Sequence, residues 1–357
     1  MIQSPEYITV LQPYVPGKPI EELERELGIS NSIKLASNEN PLGPSPEAVK
    51  AIKDSFADLN RYPDGAGYYL KNALSQMLSV SPDELILGNG SNELLDIAAR
   101  TYLQAGDEAV MASPSFVVYG MAVQSVGGRS VQVPLKDYRH DLEAMAAAIT
   151  PRTKMVFIAN PNNPTGTINT KDEFDAFMEK TTDNMLVVVD EAYYEYVSAP
   201  DYADSMKQFS AGRNILILRT FSKIYGLAGL RIGYGIAKKE ILTDMNRLRE
   251  PFNTNSLAQK AALAALRDKA HVSNSRKINA EGKEYLYQQL TSLGISYVPT
   301  EANFIFIPIK DSIAINNGLM KKGVIIRPMG PMAIRVTIGL PEENRRFIEA
   351  LKEVITS

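Results

Sequence analysis

The sequence predicts an α/β protein with a mostly parallel sheet held between two layers of helices. Between about residues 70 and 250, short apolar runs alternate with segments of helical periodicity, an order typical of parallel sheets. Runs such as MLVVVD are apolar without interruption, which indicates strands covered on both faces. The predicted strands of this sheet, in chain order, are ELILGNG, EAVMASP, SVQVPL, KMVFIANPNNP, MLVVVDEAY, NILILRTFSK and RIGYGIA.

The chain ahead of this sheet predicts an arm followed by a turn-rich connector. The first forty residues are rich in Pro and Gly and contain one short charged helical pattern, EELERELG. The connector NENPLGPSP follows, and Ser45 with Pro46 then favours a helix start, with Glu47 in its first turn. Between the strands, SNELLDIAARTYL and KDEFDAFMEK have the periodicity of helices.

The last third of the chain has a different pattern, which predicts a second, smaller α+β domain. A stretch rich in Ala and charged residues precedes four strand candidates, ISYVP, NFIFIPI, VIIRP and AIRVTIGL, and a final helix, EENRRFIEALKEVI. A chain of 357 residues is long enough for two domains. We therefore expect an N-terminal arm that joins the small domain (1–40), a large domain (41–255) and the small C-terminal domain (256–357).

Composition argues against several classes of protein. A net charge of −3 gives no basic face for nucleic acid or anionic membranes. Without cysteine there is no disulfide, thiolate nucleophile or Cys-ligated metal, and the two histidines, His140 and His271, lie far from the motifs below. We expect both to be packing or surface residues. The start lacks a signal-peptide pattern and no apolar run is long enough to span a membrane, so a cytoplasmic enzyme is expected.

Polar groups follow four of the predicted strands at their carboxyl ends, where ligands bind in open parallel sheets. Gly90 and Ser91 lead from one strand into a helix, whose free N–H groups and dipole suit a phosphate, with Ser91 as a candidate N-cap. The turn 161–166 holds Asn163 at the end of another strand, where its amide can donate to a phenolate oxygen. Taken alone, these features also fit an ordinary capped helix and an Asn-Pro turn.

The third strand end carries an acid. Asp190 closes the apolar run MLVVV, and a partly buried carboxylate is costly without a cationic partner. A protonated pyridine nitrogen is such a partner, and enzymes that use pyridoxal phosphate supply one. Tyr193, three residues later, is placed to hydrogen-bond the ring oxygen of the same cofactor.

The fourth strand end carries an amine. Lys223 follows NILILR directly, and desolvation with a neighbouring cation lowers the pKa of a lysine that acts as a nucleophile. A guanidinium and two hydroxyls near it can hold a phosphate together; these groups belong to Thr220, Ser222 and Arg231. We expect Gly226 and Gly229 to let the backbone pass close to the ligand.

These motifs together resemble a known family. NPNNPTG, DEAY and SK followed by GLAGLRIGY, in that order, resemble the aspartate-aminotransferase superfamily of pyridoxal-phosphate enzymes (fold type I) along nearly the whole chain. NEN, NRYPD, GNGSNE and the opening LQPYVPGKP are similar to its branch of histidinol-phosphate aminotransferases. The resemblance implies a large α/β/α sandwich with a mostly parallel seven-stranded sheet plus a smaller domain. It also implies transamination of L-histidinol phosphate with 2-oxoglutarate by a homodimer.

The resemblance further implies a role for each site residue. Lys223 matches the Schiff-base lysine that also moves the substrate proton, and Asp190 matches the partner of the pyridine nitrogen. Asn163 and Tyr193 match the partners of the ring oxygen. The phosphate pocket is matched by Ser91, Asn92, Thr220, Ser222 and Arg231. Phe116 stands where the family stacks an aromatic ring on the pyridine, and Tyr62 matches a tyrosine that reaches the cofactor phosphate of the neighbouring subunit.

Substrate contacts are implied in the same way. Arg335 matches the arginine that holds the substrate carboxylate, and Tyr14, Asn38 and Arg327 match further contacts of the branch. Arg327 fits an arginine on an exposed strand edge equally well. Alternative activities on the same scaffold are a threonine-phosphate decarboxylase and an aromatic-amino-acid aminotransferase. A non-catalytic regulator is a remote alternative, because such regulators add a DNA-binding module and the first forty residues are typical of an arm.

Overall fold

The computed structural model describes residues 2–356. Twelve strands lie within this range: β1 (Ile33–Lys34), β2 (Leu85–Gly88), β3 (Glu108–Ser113), β4 (Arg129–Pro134), β5 (Thr153–Ala159), β6 (Leu186–Asp190), β7 (Ile215–Thr220), β8 (Gly233–Ile236), β9 (Phe304–Pro308), β10 (Val324–Ile325), β11 (Arg327–Pro328) and β12 (Ala333–Thr337). The α-helices of the same range are α1 (Glu6–Thr9), α2 (Ile20–Leu27), α3 (Pro46–Lys53), α4 (Tyr68–Leu78), α5 (Ser91–Tyr102), α6 (Val118–Ser125), α7 (Leu142–Ala147), α8 (Lys171–Glu179), α9 (Ser205–Ser210), α10 (Lys239–Leu248), α11 (Ser256–Arg267), α12 (Lys269–Ser292), α13 (Ser312–Lys321) and α14 (Pro341–Thr356).

A seven-stranded sheet forms the centre of the molecule, with the strand order β2-β8-β7-β6-β5-β3-β4. Its pairs are parallel except at β8, which runs antiparallel to both β2 and β7. All seven strands predicted from the apolar runs are present, and the predicted α/β class with a mostly parallel sheet is confirmed.

Helices cover the central sheet on both faces, which explains why its strands are apolar throughout. In β6, Val187 and Val189 belong to one hydrophobic cluster, whereas Leu186 and Val188 belong to the cluster on the opposite face. Successive side chains of a strand point to opposite faces, so a strand covered twice has no position left for a solvated polar residue. Burying each such side chain contributes about 1.5–3 kcal/mol.

The C-terminal part of the chain forms a smaller unit with its own core. Strands β11, β12 and β9 form an antiparallel sheet, and α13 packs against α14. The arm joins this unit, because β1 pairs in parallel with β10 and Leu23 packs with Ile325. The predicted strand ISYVP is wrong: Val298 makes only an isolated bridge to Phe306, and Pro299 after it has no N–H to continue the ladder.

The helix α11 packs with the large unit, although the predicted division at residues 255 and 256 assigns it to the smaller one. Its alanines at positions 258, 261, 262 and 265 lie in the same hydrophobic cluster as Ala48 of α3. Small side chains along one face allow the two helices to approach closely. These contacts favour a boundary inside α12, and the division into domains stays a prediction. No helix between residues 2 and 356 is both long and apolar enough to cross a bilayer.

Of the two serines at predicted helix starts, one caps its helix and the other does not. Ser45 caps α3 as predicted, because its Oγ accepts a hydrogen bond from Ala48 N at 3.1 Å. Ser91 is not the cap of α5: Gly90, with φ of +76°, takes that position and Ser91 begins the helix without a side-chain cap bond. The turn needs a positive φ, which glycine adopts without strain.

The two glycines after Lys223, Gly226 and Gly229, have different surroundings. Gly226 has a φ of +68°, and a Cβ there would overlap the backbone carbonyl of Gly43, so this glycine permits contact between two chain segments. Gly229 has open space around its Cβ position. Neither residue lines the cavity described below, although Ala228 between them does. The expectation that they bring the backbone close to a ligand stays a prediction.

Replacing Gly226 by Ala should lower the free energy of unfolding by at least about 2 kcal/mol, because a side chain at positive φ costs ~1–2 kcal/mol before the overlap is relieved. Gly229→Ala is the matched control and should change stability by less than about 0.5 kcal/mol. Urea unfolding followed by circular dichroism measures both. Equal unfolding midpoints for the two variants would contradict this account of the turn.

Candidate active site

A cavity of about 310 Å³ lies at the carboxyl ends of the central strands. The arm, the sheet and the smaller unit all contribute to its walls. It brings together every predicted site residue except Tyr62: Tyr14, Asn38, Ser91, Asn92, Phe116, Asn163, Asp190, Tyr193, Thr220, Ser222, Lys223, Arg231, Arg327 and Arg335.

At the base of the cavity, Asp190 ends β6 and is only 6% exposed. Its Oδ2 accepts a hydrogen bond from Tyr119 Oη at 2.8 Å, and its Oδ1 accepts one from Ala192 N at 3.1 Å. Burial raises the pKa of Asp190 to about 6, in spite of these two bonds. The environment therefore favours a cationic group against this carboxylate.

Tyr119 is a site residue that the sequence did not indicate. It lies in α6, is buried, and stacks on Phe157 with ring centroids 5.0 Å apart. Its ring also meets that of Phe116 edge-on at 5.6 Å. Tyr119 thus holds the carboxylate of Asp190 from one side and supports Phe116 from another, two contacts that no local motif encodes.

The amine of Lys223 lines the same cavity, just past the end of β7, the strand next to β6. Its Nζ donates to the carbonyl oxygen of Ser37 at 3.2 Å and lies 5.6 Å from the centroid of the Tyr193 ring. Burial, with a further contribution from the charge of Arg335, lowers the pKa of Lys223 to about 8. An appreciable fraction of this amine is therefore neutral, and nucleophilic, near pH 8.

A cup for a phosphate lies where the start of α5 meets β7 and β8. The guanidinium of Arg231 donates to Ser222 Oγ at 3.3 Å and lies so close to Gly90 that a Cβ there would overlap it. Gly233 permits a second close approach, since its Cβ would lie 2.5 Å from Ser91 N. Backbone N–H groups at a helix start, beside an arginine fork and hydroxyls, suit a dianion. The hydroxyl of Thr220 completes the cup.

A second cationic region faces the cup from the smaller unit. Arg335, which is 9% exposed, donates to Asn163 Oδ1 at 2.5 Å and to the carbonyl oxygen of Ala36 at 2.7 Å. Burial lowers its pKa, but a guanidinium stays charged at neutral pH. Within residues 2–356 its buried Nε has no hydrogen-bond partner. A buried cation with a spare donor favours an anionic ligand.

Arg327 is both an arginine on a strand edge and a residue of the cavity, the two alternatives that its sequence context allows. It lies on β11, the edge strand of the small sheet, and it also lines the cavity. One Nη donates to the carbonyl oxygen of Val15 at 2.9 Å, and the guanidinium carbon lies 5.7 Å from the centroid of the Tyr14 ring. The arm therefore holds Arg327 beside Arg335.

Tyr62 lies outside this cavity. Its side chain is 83% exposed and stacks on Phe252 with ring centroids 4.7 Å apart. His140, expected to be a packing or surface residue, is buried and bonds Asn162 Oδ1 through Nε2 at 3.1 Å. Burial lowers the pKa of His140 to about 4, so the ring is neutral and serves packing around Asn162.

Comparison with known proteins agrees with this geometry. The family model "Aminotransferase class I and II" matches residues 30–351. A histidinol-phosphate aminotransferase of Moorella thermoacetica is 56% identical, covering 98% of this chain and 92% of that protein. Histidinol-phosphate aminotransferase 1 of Nitrosococcus oceani is 49% identical, over 97% and 95% respectively. The crystal structure of histidinol-phosphate aminotransferase from Sinorhizobium meliloti in complex with pyridoxal-5'-phosphate has a TM-score of 0.93 at 30% identity, covering 100% of this chain and 98% of that one.

Replacing Asp190 by Asn should stabilise the unliganded chain at neutral pH. The pKa of Asp190 is about 6 in the fold and 3.8 ordinarily. The native state therefore binds the proton more tightly, and stability is lost as pH rises through this window. Above it, the ionised side chain costs about 2–3 kcal/mol, which Asn avoids. The Oδ1 of Asn can still accept from Ala192 N, while its Nδ2 would donate to Tyr119 Oη.

Urea unfolding of the unliganded proteins at pH 4.5 and pH 7.5 checks this expectation. The Asp190→Asn variant should be more stable than the wild type at pH 7.5, and its advantage should fall to about a third of that value at pH 4.5, which lies low in the window. The exposed control Asp183→Asn should change neither value. A difference between wild type and Asp190→Asn that does not vary with pH would contradict the account of a desolvated carboxylate.

Proposed function

Because the chain belongs to the class I and II aminotransferase family, we propose that it transfers the amino group of L-histidinol phosphate to 2-oxoglutarate, with pyridoxal phosphate as its cofactor. The products are imidazole-acetol phosphate and L-glutamate, and the reaction belongs to histidine biosynthesis. The observation that carries the proposal is a single cavity that contains a buried acid, a lysine with a lowered pKa and two separate cationic regions. Relatives of that name at 56% and 49% identity support the substrate.

The residues of the cavity fit pyridoxal phosphate at three points. Asp190 offers a desolvated carboxylate for the pyridine nitrogen, and the cup around Arg231 offers donors for the phosphate. Asn163 and Tyr193 also line the cavity and would bond the ring oxygen. When bound, the cofactor supplies an aldehyde that captures amines and a cationic ring that withdraws electrons from the substrate carbon.

Lys223 is the group that we assign to proton transfer. Its amine would hold the cofactor through the aldehyde until the amine of the substrate takes its place. The free amine, whose pKa of about 8 lies close to neutral, accepts the proton from the substrate Cα and returns it at the cofactor C4′. Asp190, when ionised, would pair with the ring nitrogen and favour its protonated form. Phe116 lines the cavity and would pack against the ring.

The second cationic region binds the substrate. Arg335 presents a spare donor and Arg327 stands beside it, so two guanidinium groups can hold one phosphate dianion of histidinol phosphate. The same fork accepts a carboxylate of 2-oxoglutarate in the second half of the reaction. Tyr14 from the arm places its ring 5.7 Å from the guanidinium carbon of Arg327.

We also propose that the enzyme works in the cytoplasm as a homodimer in which Tyr62 contacts the cofactor phosphate of the second copy. Tyr62 is exposed and lies outside the cavity of its own chain. Its stacking partner Phe252 is also exposed, as are the large apolar side chains of Phe56, Leu59 and Tyr69 in the same part of the sequence. Exposed apolar side chains that lie together favour a protein partner.

The half-reaction tests the substrate directly. Cofactor-loaded protein mixed with L-histidinol phosphate, without any keto acid, should lose its visible absorption band and gain the band of pyridoxamine phosphate. Lys223→Ala should slow this conversion by at least about 10²–10⁴-fold, whereas the exposed control Lys50→Ala should not. If the visible absorption band is unchanged, the assignment of L-histidinol phosphate as the substrate is wrong. CO₂ release from threonine phosphate, or conversion by phenylalanine, would point to the alternative activities.

A mixing experiment tests the role of Tyr62. Lys223→Ala and Tyr62→Ala should each be weakly active alone at limiting cofactor. If Tyr62 serves the second copy, a mixed dimer contains one site with neither defect, and random mixing should recover about a quarter of wild-type activity. If Tyr62 acts within its own chain, every site keeps one defect and mixing recovers nothing. The second result would contradict the shared site.

A further inference from the structure

The side chain of Asn38 is fully engaged inside the protein. The residue is 1% exposed and has a left-handed φ of +55°. Its Nδ2 donates to Tyr193 Oη at 2.9 Å, and its Oδ1 accepts from Thr337 Oγ1 at 3.3 Å. Its backbone N–H donates to the same Thr337 Oγ1 at 2.9 Å, and its carbonyl oxygen accepts from Asn303 Nδ2 at 3.1 Å. Because Thr337 Oγ1 accepts from the backbone N–H of Asn38 and donates to its Oδ1, the Nδ2 is the atom that faces Tyr193.

The direction of the bond between Asn38 and Tyr193 has a chemical consequence. Because the amide donates into the phenol oxygen, the proton of Tyr193 points elsewhere and is available to a ligand in the cavity that Tyr193 lines. A hydroxyl that accepts a hydrogen bond is also a stronger donor, since the two bonds polarise one another. Asn38 therefore both aims and strengthens the donor that faces the ring oxygen.

Thr337 connects this arrangement to the strand that binds substrate. Thr337 and Arg335 are two residues apart on β12, so their side chains lie on the same face. Arg335 bonds Asn163, and Thr337 bonds Asn38, which bonds Tyr193. Both of the proposed partners of the ring oxygen are thus tied to alternate positions of a single strand in the smaller unit.

We propose that Asn38 is a positioning residue, not a substrate contact: together with Thr337 it sets the donor strength of Tyr193 toward the cofactor ring oxygen. The inference rests on the proposed function, because it requires pyridoxal phosphate in the cavity. It assigns to Asn38 a role that acts through Tyr193 alone. Strand β12 would then carry both Arg335, which binds substrate, and Thr337, which acts on the cofactor through Asn38 and Tyr193.

The visible spectrum of the bound cofactor reports this role without turnover. Donation from Tyr193 draws charge from the ring oxygen, so the chromophore loses its proton at lower pH. Removing that donor with Tyr193→Phe should raise the midpoint of the absorbance titration. Asn38→Gly removes the amide and suits the left-handed backbone. It should raise the midpoint in the same direction, by about half to one pH unit.

Other charged and titratable groups also face Tyr193. They are Asp190, Lys223, Arg335 and Tyr14, which belong to β6, the segment after β7, β12 and the arm, together with Tyr119 of α6 and Tyr196. All six are unchanged in the variants, so differences between midpoints isolate the contribution of Asn38. The double variant separates positioning from general damage: on a Tyr193→Phe background, Asn38→Gly should add a shift of less than about 0.2 pH units.

The connection to β12 is tested at Thr337. Thr337→Val removes the hydroxyl and should reproduce part of the midpoint shift of Asn38→Gly. Thr337→Ser keeps the hydroxyl and should retain the wild-type midpoint. Thermal unfolding of each variant shows whether the fold is retained, and the titration is read on the folded fraction that holds cofactor.

The outcomes distinguish this inference from the proposed function. If the wild type binds cofactor and converts histidinol phosphate, but Asn38→Gly leaves the midpoint unmoved, the inference fails and the function stands. Shifts of equal size with and without the Tyr193 hydroxyl also overturn it, because Asn38 would then act by another route. A wild type that acquires no visible band would overturn both. A shift that needs the Tyr193 hydroxyl, and that Thr337→Val reproduces while Thr337→Ser does not, supports it.

Discussion

The desolvation of Asp190 is the constraint on which the rest of the site depends. A carboxylate at the end of a strand covered on both faces is destabilised by several kcal/mol unless a cation meets it. The charge of Lys223 offsets this cost only in part, and two neutral donors, Tyr119 and the N–H of Ala192, hold the carboxylate in place. Because the helices that bury this strand also desolvate Asp190, a positively charged ring beside the carboxylate would be stabilised.

The phosphate cup and the second cationic region lie near Asp190, at the edge of the sheet where the parallel strands end. The cup of Arg231 occupies the point where β8 reverses the direction of the sheet, and close packing at Gly90 and Gly233 holds it there. The smaller unit supplies the opposite wall, with Arg335 bonded to both the arm and the turn that carries Asn163. One cavity therefore needs contributions from three parts of the chain.

The sequence predicted the sheet and most of the cavity because both follow from local patterns. Apolar runs mark the strands, and the ends of parallel strands meet at one edge, so Asp190, Asn163 and Lys223 were placed together without knowledge of the fold. Long-range contacts escaped prediction. Tyr119 bonds Asp190 across 71 positions of sequence, and Asn38 bonds Tyr193 across 155. The turn at Gly90 and the conformation of the ISYVP run depend on neighbouring segments, which local propensity does not contain.

The bonds between Asn38 and Thr337 join positions 299 residues apart, and this separation has a consequence for biosynthesis. During translation at about 5–20 residues per second, the arm waits roughly 15 to 60 s before its partner strand exists. Strand β1 and the apolar face of α2 are exposed through this period, although the central sheet can already form. A nascent chain therefore resembles a finished large unit with an open arm, and chaperones or a second nascent copy can meet that arm before its own C-terminal strands do.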